Sequence, residues 1–226
     1  MSPDDIAAEQ GNAGAVFGAT GLPFVGLTLA GDSAWSARFW ERSAPRTYPS
    51  ASCGSVRVVG DRLVMHYNNR LAPPPRPTKA QVRTVSAWGA QSQADLVRLR
   101  VGIIGNGSVG GFIAESIVRT GFEDVTLIDF DRVREYNLDR LNYAVGADVG
   151  HLKAEVLAAH LQPRATAARC QIDCIAAAVY EEEAFRRALD CDVLFSCVDR
   201  PWGRHVLNLI AYRLDSKDVT KTLDYC

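Results

Sequence analysis

The sequence predicts an α/β protein in which a doubly wound parallel sheet follows a small β-rich unit. An apolar segment at residues 101–104 leads into a glycine-rich loop at 105–110. A second apolar segment, 125–128, ends in Asp129, 19 positions after Gly110. A strand, a glycine loop, a helix and a strand ending in an acid at about this spacing are typical of a Rossmann-like βαβ unit.

The chain before the glycine loop predicts a separate unit and a linker. Apolar alternation assigns residues 1–72 to a β-rich unit, with short strands at about 23–29, 37–40, 55–59 and 63–67. Residues 73–78 are rich in proline, which favours a stiff extended linker. The remaining residues, 79–226, form the domain that contains the glycine loop.

Helices are predicted on both sides of the first strand of this domain. Thr78 is a favourable cap for a helix over 79–87, and a second helical segment at about 91–99 leads into the strand. After Gly110, apolar residues such as Phe112 recur at helical spacing until Gly121, a residue type that commonly ends helices. This order predicts a βαβ unit that binds an adenosine nucleotide.

The three glycines of the loop, Gly105, Gly107 and Gly110, serve three structural needs. They allow a tight turn out of the strand, backbone room for phosphate oxygens, and close contact between helix and sheet. The N-terminus of the helix behind them offers free N–H groups and a partial positive charge. Glycine-rich corners also occur for packing alone, so the residues downstream must distinguish a nucleotide site from a packing corner.

Charged residues beyond the second strand favour a triphosphate over a dinucleotide. A dinucleotide needs few cations, because helix N–H groups satisfy most of its pyrophosphate oxygens. Arg140 and Lys153 are candidates to neutralise phosphate oxygens. Asp199 follows an apolar segment at 193–198 and is a candidate oxygen ligand for Mg²⁺. Asp131 and Asp139 also fit as turn or surface acids.

Five short motifs follow one another in this domain. They are G-x-G-x-x-G at 105–110, Asp-Phe-Asp at 129–131, Asn-Leu-x-Arg at 137–140, Asp-Val-Gly-x-x-Lys at 148–153 and Cys-x-Asp at 197–199. In this order they resemble the ThiF/MoeB/HesA superfamily, the adenylating enzymes related to ubiquitin-activating enzymes. The resemblance covers about residues 83–213. It implies that ATP with Mg²⁺ adenylates the C-terminal carboxylate of a ubiquitin-like or sulfur-carrier protein and releases pyrophosphate.

The resemblance also implies roles for the residues that match its motifs. Asp129 would bind the ribose hydroxyls, Asp199 would bind Mg²⁺, and Arg83 would reach into an ATP site, often that of a partner subunit in a homodimer. The implied nucleotide-binding residues are Gly105, Gly107, Gly110, Asp129, Asp131, Asn137, Arg140 and Lys153. The implied catalytic residues are Arg83, Arg140, Lys153 and Asp199.

Both ends of the chain differ from a complete member of the superfamily. There the fold continues past the helix that matches 202–214 into further strands and a segment with an acceptor cysteine. Here a polar tail, 215–226, follows, so we expect a C-terminally incomplete adenylation domain. Ser2-Pro3-Asp4-Asp5 is similar to the end of the zinc motif of JAB/MPN metalloprotease-like domains, which precede some relatives. A polar helix cap is the alternative interpretation.

Composition limits the partners and the compartment. A formal net charge of −1 with scattered Lys and Arg gives no electrostatic signature of nucleic-acid binding. No apolar run approaches the roughly 18 residues of a membrane span, so we expect a cytoplasmic protein. The six cysteines include no Cys-x-x-Cys pair, which argues against a structural zinc site.

Two other functions remain open at the level of sequence. An NAD(P)-binding oxidoreductase would have no use for Arg140, Lys153 or Asp199, and would bind nicotinamide without a metal. A catalytically inactive module would keep the ThiF fold and only dock a partner.

Overall fold

This computed structural model describes residues 3–29, 35–58 and 63–215. The chain divides into two compact units, Met1–Pro73 and Pro74–Cys226, which we call the N-terminal and C-terminal units. The division falls inside the proline-rich segment 73–78. None of the helices within the described ranges combines the length and apolar character needed to cross a membrane.

The N-terminal unit contains a helix before its strands, in agreement with the interpretation of residues 2–5 as a polar helix cap. Helix α1 (Pro3–Thr20) precedes a three-stranded antiparallel sheet of β1 (Phe24–Leu29), β2 (Trp35–Trp40) and β3 (Ser50–Ser52). Strands β4 (Ser55–Val58) and β5 (Val64–Tyr67) form a separate antiparallel pair. Asp4 and Asp5 lie in the first turn of α1, while Ser2 of the zinc-like motif lies outside the described residues.

A partly buried ion pair joins α1 to its sheet. The guanidinium of Arg38 on β2 donates to both carboxylate oxygens of Glu9 on α1, at 3.0 and 3.1 Å, and the indole N–H of Trp40 lies 3.3 Å from the same carboxylate. Gly26 leaves room for it, because a Cβ there would stand 2.4 Å from the Glu9 carboxyl. The apolar residues of α1 show little helical periodicity, which explains why the apolar pattern did not predict the full helix.

The C-terminal unit is the predicted α/β domain. A short 3-10 turn (Lys79–Gln81), α2 (Val82–Trp88) and α3 (Ala90–Val97) precede the first strand. The α-helices and strands that follow are β6 (Arg100–Ile104), α4 (Ser108–Thr120), β7 (Asp124–Ile128), α5 (Lys153–Leu161), β8 (Gln171–Ile175), α6 (Glu182–Asp190), β9 (Val193–Ser196) and α7 (Pro201–Asp215). The four strands are parallel and stand in the order β8-β7-β6-β9. The predicted Rossmann-like fold class is therefore confirmed.

Helices cover both faces of the parallel sheet. Because side chains alternate along a strand, Ile103 and Ile104 of β6 point to opposite faces. Ile103 belongs to an apolar cluster with residues of α4 and α5, whereas Ile104 belongs to a second cluster with residues of α6 and α7. Burial on both faces explains why the strand sequences are continuously apolar rather than alternating.

Helix α4 buries the face with its smallest side chains. Its buried residues are Gly110, Gly111, Ala114 and Val118, whereas Phe112 of the apolar pattern is 68% exposed. The face with the smallest side chains is buried because the helix lies close to its neighbours. A Cβ on Gly111 would come within 2.8 Å of the Tyr143 ring.

Candidate functional site

A cavity of about 700 Å³ opens at the carboxyl edge of the parallel sheet. Gly105 follows β6, Asp129 follows β7, and Asp199 lies beyond β9, and all three residues line this cavity. Strand order reverses between β6 and β9, and open α/β sheets bind ligands at such a reversal. The volume is within the usual range of small-molecule sites, roughly 300–1,000 Å³.

The three loop glycines have different structural environments. Gly105 has a φ of +90° and its amide donates to the carbonyl of Ile128 at 2.9 Å; a Cβ there would stand 2.7 Å from the carbonyl oxygen of Cys197. Gly107 lines the cavity, and a Cβ on it would meet nothing within 4 Å among the described residues. Gly110 does not line the cavity.

Gly110 packs tightly, which agrees with the close contact between helix and sheet expected of one glycine in the loop, and its direct contact with a nucleotide stays a prediction. A Cβ on it would overlap the carbonyl oxygen of Gly105. Helix α4 begins at Ser108, and the N–H of Gly111 makes a helical bond to the carbonyl of Gly107 at 2.8 Å. The first turn of α4 thus starts at the cavity, where its unpaired N–H groups and its dipole favour an anion.

The Asp129 carboxylate joins the glycine loop to the segment after β7. One oxygen accepts the backbone N–H of Asn106 at 2.7 Å, and the other accepts that of Asp131 at 2.8 Å. Burial raises the pKa of Asp129 above the ordinary aspartate value, although these two hydrogen bonds act in the opposite direction. Each oxygen keeps a further lone pair, so the carboxylate is still able to accept ribose hydroxyls.

Lys153 is held beside Asp131 by side chain and backbone together. Its ammonium lies 2.9 Å from an Asp131 carboxylate oxygen, and its backbone N–H donates to the Asp131 carbonyl at 2.9 Å. The N–H of Val133 donates to the carbonyl of His151 at 2.9 Å. This short antiparallel pairing of 131–133 with 151–153 brings the first residue of α5 to the cavity, which both Lys153 and Asp131 line.

Asn137, Arg140 and Asp199 also line the cavity, as the sequence predicts. Asn137 is buried, and its side-chain oxygen accepts the N–H of Arg134 at 3.2 Å, which closes the turn between them. Arg140 and Asp199 are exposed at the cavity. Asp139 is a surface acid 3.7 Å from the Arg140 guanidinium.

Arg83 is not brought to this cavity. It is exposed on α2 and does not line the cavity of its own chain. A role for Arg83 in catalysis would require a second subunit, and it stays a prediction.

The site residues fit Mg²⁺ as a phosphate-bound ion rather than as a resident metal. Within the described ranges no group of three or more His, Cys, Asp or Glu residues has the arrangement of a metal centre. Mg²⁺ commonly takes one or two carboxylates and completes its shell with water and substrate phosphates. Asp199, exposed at the cavity, is suited to be that carboxylate.

Several further residues line the cavity outside the five motifs. Arg132 and Arg134 add positive charge to the lining, and Tyr180 and Trp202 add aromatic surface. Trp202 is 57% exposed, and its ring stacks on His205 with the centroids 5.6 Å apart. These positions follow no motif spacing, because they come from segments distant in sequence: Trp202 lies in the first turn of α7 and the other three lie in loops.

The parallel sheet and its glycine loop define a Rossmann-like α/β domain. Residues 78–222 match the model of the ThiF family. The chain therefore belongs to the ThiF family, in agreement with the resemblance found in its motifs.

The similar curated proteins are named for more than one activity. The chain is 39% identical over 155 residues to tRNA threonylcarbamoyladenosine dehydratase 2 of Saccharomyces cerevisiae, which covers 69% of this chain and 33% of the relative. It is 30% identical over 124 residues to adenylyltransferase and sulfurtransferase uba4 of Ogataea parapolymorpha, covering 55% of this chain and 31% of the relative. The chain thus spans about a third of the length of these curated relatives.

A solved structure agrees with the fold. The tRNA N6-threonylcarbamoyladenosine dehydratase of Escherichia coli in complex with ATP superposes with a TM-score of 0.53 at 25% identity. The match covers 60% of this chain and 54% of that chain.

Proposed function

We propose that this chain binds ATP with Mg²⁺ and adenylates a carboxylate. The observation that carries the proposal is the meeting of Gly107, Asp129, Arg140, Lys153 and Asp199 around one cavity at the reversal of strand order. Backbone donors and two cations suit a polyphosphate, and a half-buried carboxylate suits a ribose. The Escherichia coli relative, solved with ATP, supports the same nucleotide.

Each residue then has a defined task. The glycine loop and the first turn of α4 bind phosphate oxygens, and Asp129 orients the nucleotide through the ribose hydroxyls. Lys153 and Arg140 neutralise the phosphates. Asn137 closes the turn that begins at Arg134 and precedes Arg140. Mg²⁺, held by Asp199 and the phosphates, would withdraw charge from the oxygens around the reacting phosphorus.

The reaction needs no nucleophile from the protein. An oxygen of the substrate carboxylate forms a bond to the α-phosphorus, the bond to the β-phosphate oxygen breaks, and pyrophosphate leaves. Such an in-line displacement depends mainly on positioning and on spreading negative charge. Cys197 lines the cavity, but burial raises the pKa of its thiol, so little thiolate is present at neutral pH.

The carboxylate that we propose first is the C-terminus of a ubiquitin-like or sulfur-carrier protein. The similarity to an adenylyltransferase and sulfurtransferase supports this substrate class.

A second candidate is the carboxylate of a threonylcarbamoyl group on tRNA. The relative that covers 69% of this chain is named for that modification, and removing water from a carboxylic acid requires that its hydroxyl first become a leaving group. Such a substrate would depart from the expectation that nucleic acid is not a partner.

ATP–pyrophosphate exchange with each class of acceptor tests the proposal. We expect Mg²⁺-dependent exchange with either a sulfur-carrier protein ending in a free carboxylate or a tRNA that bears threonylcarbamoyladenosine. Lys153→Gln is expected to lose this exchange, whereas Lys79→Gln, a change of the same charge at an exposed position, serves as the matched control. Binding of ATP without exchange would identify an inactive module, and binding of NAD(P) in place of ATP would contradict the proposal.

A further inference from the structure

Tyr143 supports the glycine loop from behind. It is only 5% exposed, it does not line the cavity, and its hydroxyl donates a hydrogen bond to the backbone carbonyl of Asn106. The ring packs against Gly111 at the start of α4 and lies edge-on to His160 of α5, with the ring centroids 6.3 Å apart. No motif in the sequence singles out this tyrosine.

The backbone of Asn106 is held on both sides. Its N–H donates to the Asp129 carboxylate at 2.7 Å, while its carbonyl accepts the Tyr143 hydroxyl. Its side chain is fully buried, with the amide nitrogen 3.4 Å from the carbonyl of Ile103. The residue is thus fixed between the end of β7 and the segment that follows Arg140.

Fixing the Asn106 carbonyl also orients the next amide. In a planar trans peptide the carbonyl and the following N–H point in opposite directions, and the described residues include no cis peptide bond. Since the Asn106 carbonyl points to the buried Tyr143, the N–H of Gly107 points away from that buried hydroxyl. Gly107 itself lines the cavity.

We propose that Tyr143 is a positioning residue of the nucleotide site. Its hydroxyl holds the peptide between Asn106 and Gly107 in the orientation that presents the Gly107 N–H to a phosphate oxygen. Glycine tolerates many backbone conformations, so without this bond the peptide is free to turn its carbonyl toward the phosphate and repel it. The inference rests on the proposed function, namely that the cavity binds ATP.

Tyr143→Phe removes the hydroxyl and keeps the ring against Gly111. We expect the Kd for ATP and AMP to rise about tenfold, the size of one hydrogen bond to a charged group, while the Kd for adenosine stays unchanged. A merely structural role would weaken adenosine as well, since both ligands share the ribose site at Asp129. Tyr48→Phe, in the N-terminal unit, is the matched control, and calorimetric titration measures all of these affinities.

The amide of Gly107 gives a readout that needs no ligand. In ¹⁵N-labelled protein we expect one Gly107 amide resonance for the wild type and a shifted or exchange-broadened one for Tyr143→Phe. An unchanged ATP affinity, an equal loss for ATP and adenosine, or an unchanged Gly107 resonance would overturn the role of Tyr143 while leaving ATP binding intact. A wild-type protein that binds neither ATP nor adenosine would overturn the proposed function, and this inference with it.

Discussion

The ammonium of Lys153 lies 2.9 Å from a carboxylate oxygen of Asp131, 22 residues earlier in the chain. The lysine side chain is 12% exposed and that of the aspartate is 52% exposed. Because a poorly solvated cation needs a partner, Asp131 neutralises Lys153 when no anionic ligand is present. This gives Asp131 a role through Lys153, in addition to the direct nucleotide contact implied by the family resemblance.

Removing the lysine charge should weaken triphosphate binding selectively. We expect Lys153→Gln to raise the Kd for ATP about tenfold or more, as for the loss of a charge-assisted hydrogen bond, with a smaller effect on adenosine. Asp131→Asn should leave Lys153 unpaired and lower the melting temperature. Added ATP should then raise the melting temperature of Asp131→Asn by more than it raises that of the wild type. Equal affinities for ATP in Lys153→Gln and Lys79→Gln would argue against the phosphate role.

Gly107 and Gly110 should respond oppositely to alanine. Gly107→Ala places a methyl group in open space beside the cavity, so we expect unchanged melting with a several-fold weaker affinity for ATP. Gly110→Ala forces its Cβ into the Gly105 carbonyl, so we expect a loss of roughly 2 kcal/mol or more of stability. Thermal melts and ATP titrations on both variants check this, and a stable Gly110→Ala would contradict the packing role.

Adenosine affinity should fall on acidification because of Asp129. Its pKa is raised by burial, so a proton returns to it at a higher pH than to an ordinary aspartate. The protonated acid loses acceptor capacity toward ribose hydroxyls, and we therefore expect binding to weaken as pH falls, beginning above the usual aspartate range. Adenosine is the suitable ligand because it has no phosphate to titrate. Asp129→Asn should bind adenosine weakly at every pH. If this variant instead shows the same pH dependence as the wild type, Asp129 is not the titrating group.

Cys197 offers a chemical probe of occupancy. Since burial raises the pKa of its thiol and the thiolate is the reactive form, alkylation should be slow at neutral pH and accelerate as pH rises. ATP should slow it further, because Cys197 lines the cavity. Peptide-resolved mass spectrometry measures the rate, with Cys53 of the N-terminal unit as the internal control. Protection of Cys53 and Cys197 alike would indicate a global effect rather than occupancy of this cavity.

Two inactive variants should complement each other if Arg83 acts in the site of a partner subunit. If it completes the site of a partner, Arg83→Ala and Lys153→Gln should each lack exchange activity alone, and mixing them should restore part of it, because one site in the mixed dimer keeps both residues. Sedimentation of each variant confirms that the oligomeric state is unchanged. A mixture as inactive as the two separate proteins would remove Arg83 from the site.

Local chemistry explains what could be foreseen. Continuous apolar segments bounded by glycine or aspartate identified β6, β7 and β9, since strands buried on both faces need no polar alternation. The position of Lys153 also followed from sequence, as its motif lies at the start of a helix. The full length of helix α1 did not follow, because its apolar residues show little helical periodicity. The outward position of Phe112 did not follow either, because it depends on the close approach of α4 to Tyr143 at Gly111.

By itself the sequence determined the family, the parallel α/β domain and eight of the residues that line its cavity, because these are encoded in short motifs and apolar segments. Only the tertiary structure decided which glycine lines the cavity and which one packs, since Gly110 lies against the Gly105 carbonyl. It also decided that Asp131 pairs with Lys153 and that Tyr143 holds the Asn106 carbonyl. The residues of these contacts are 22 and 37 positions apart and meet only when the chain folds, so no local sequence pattern predicts them.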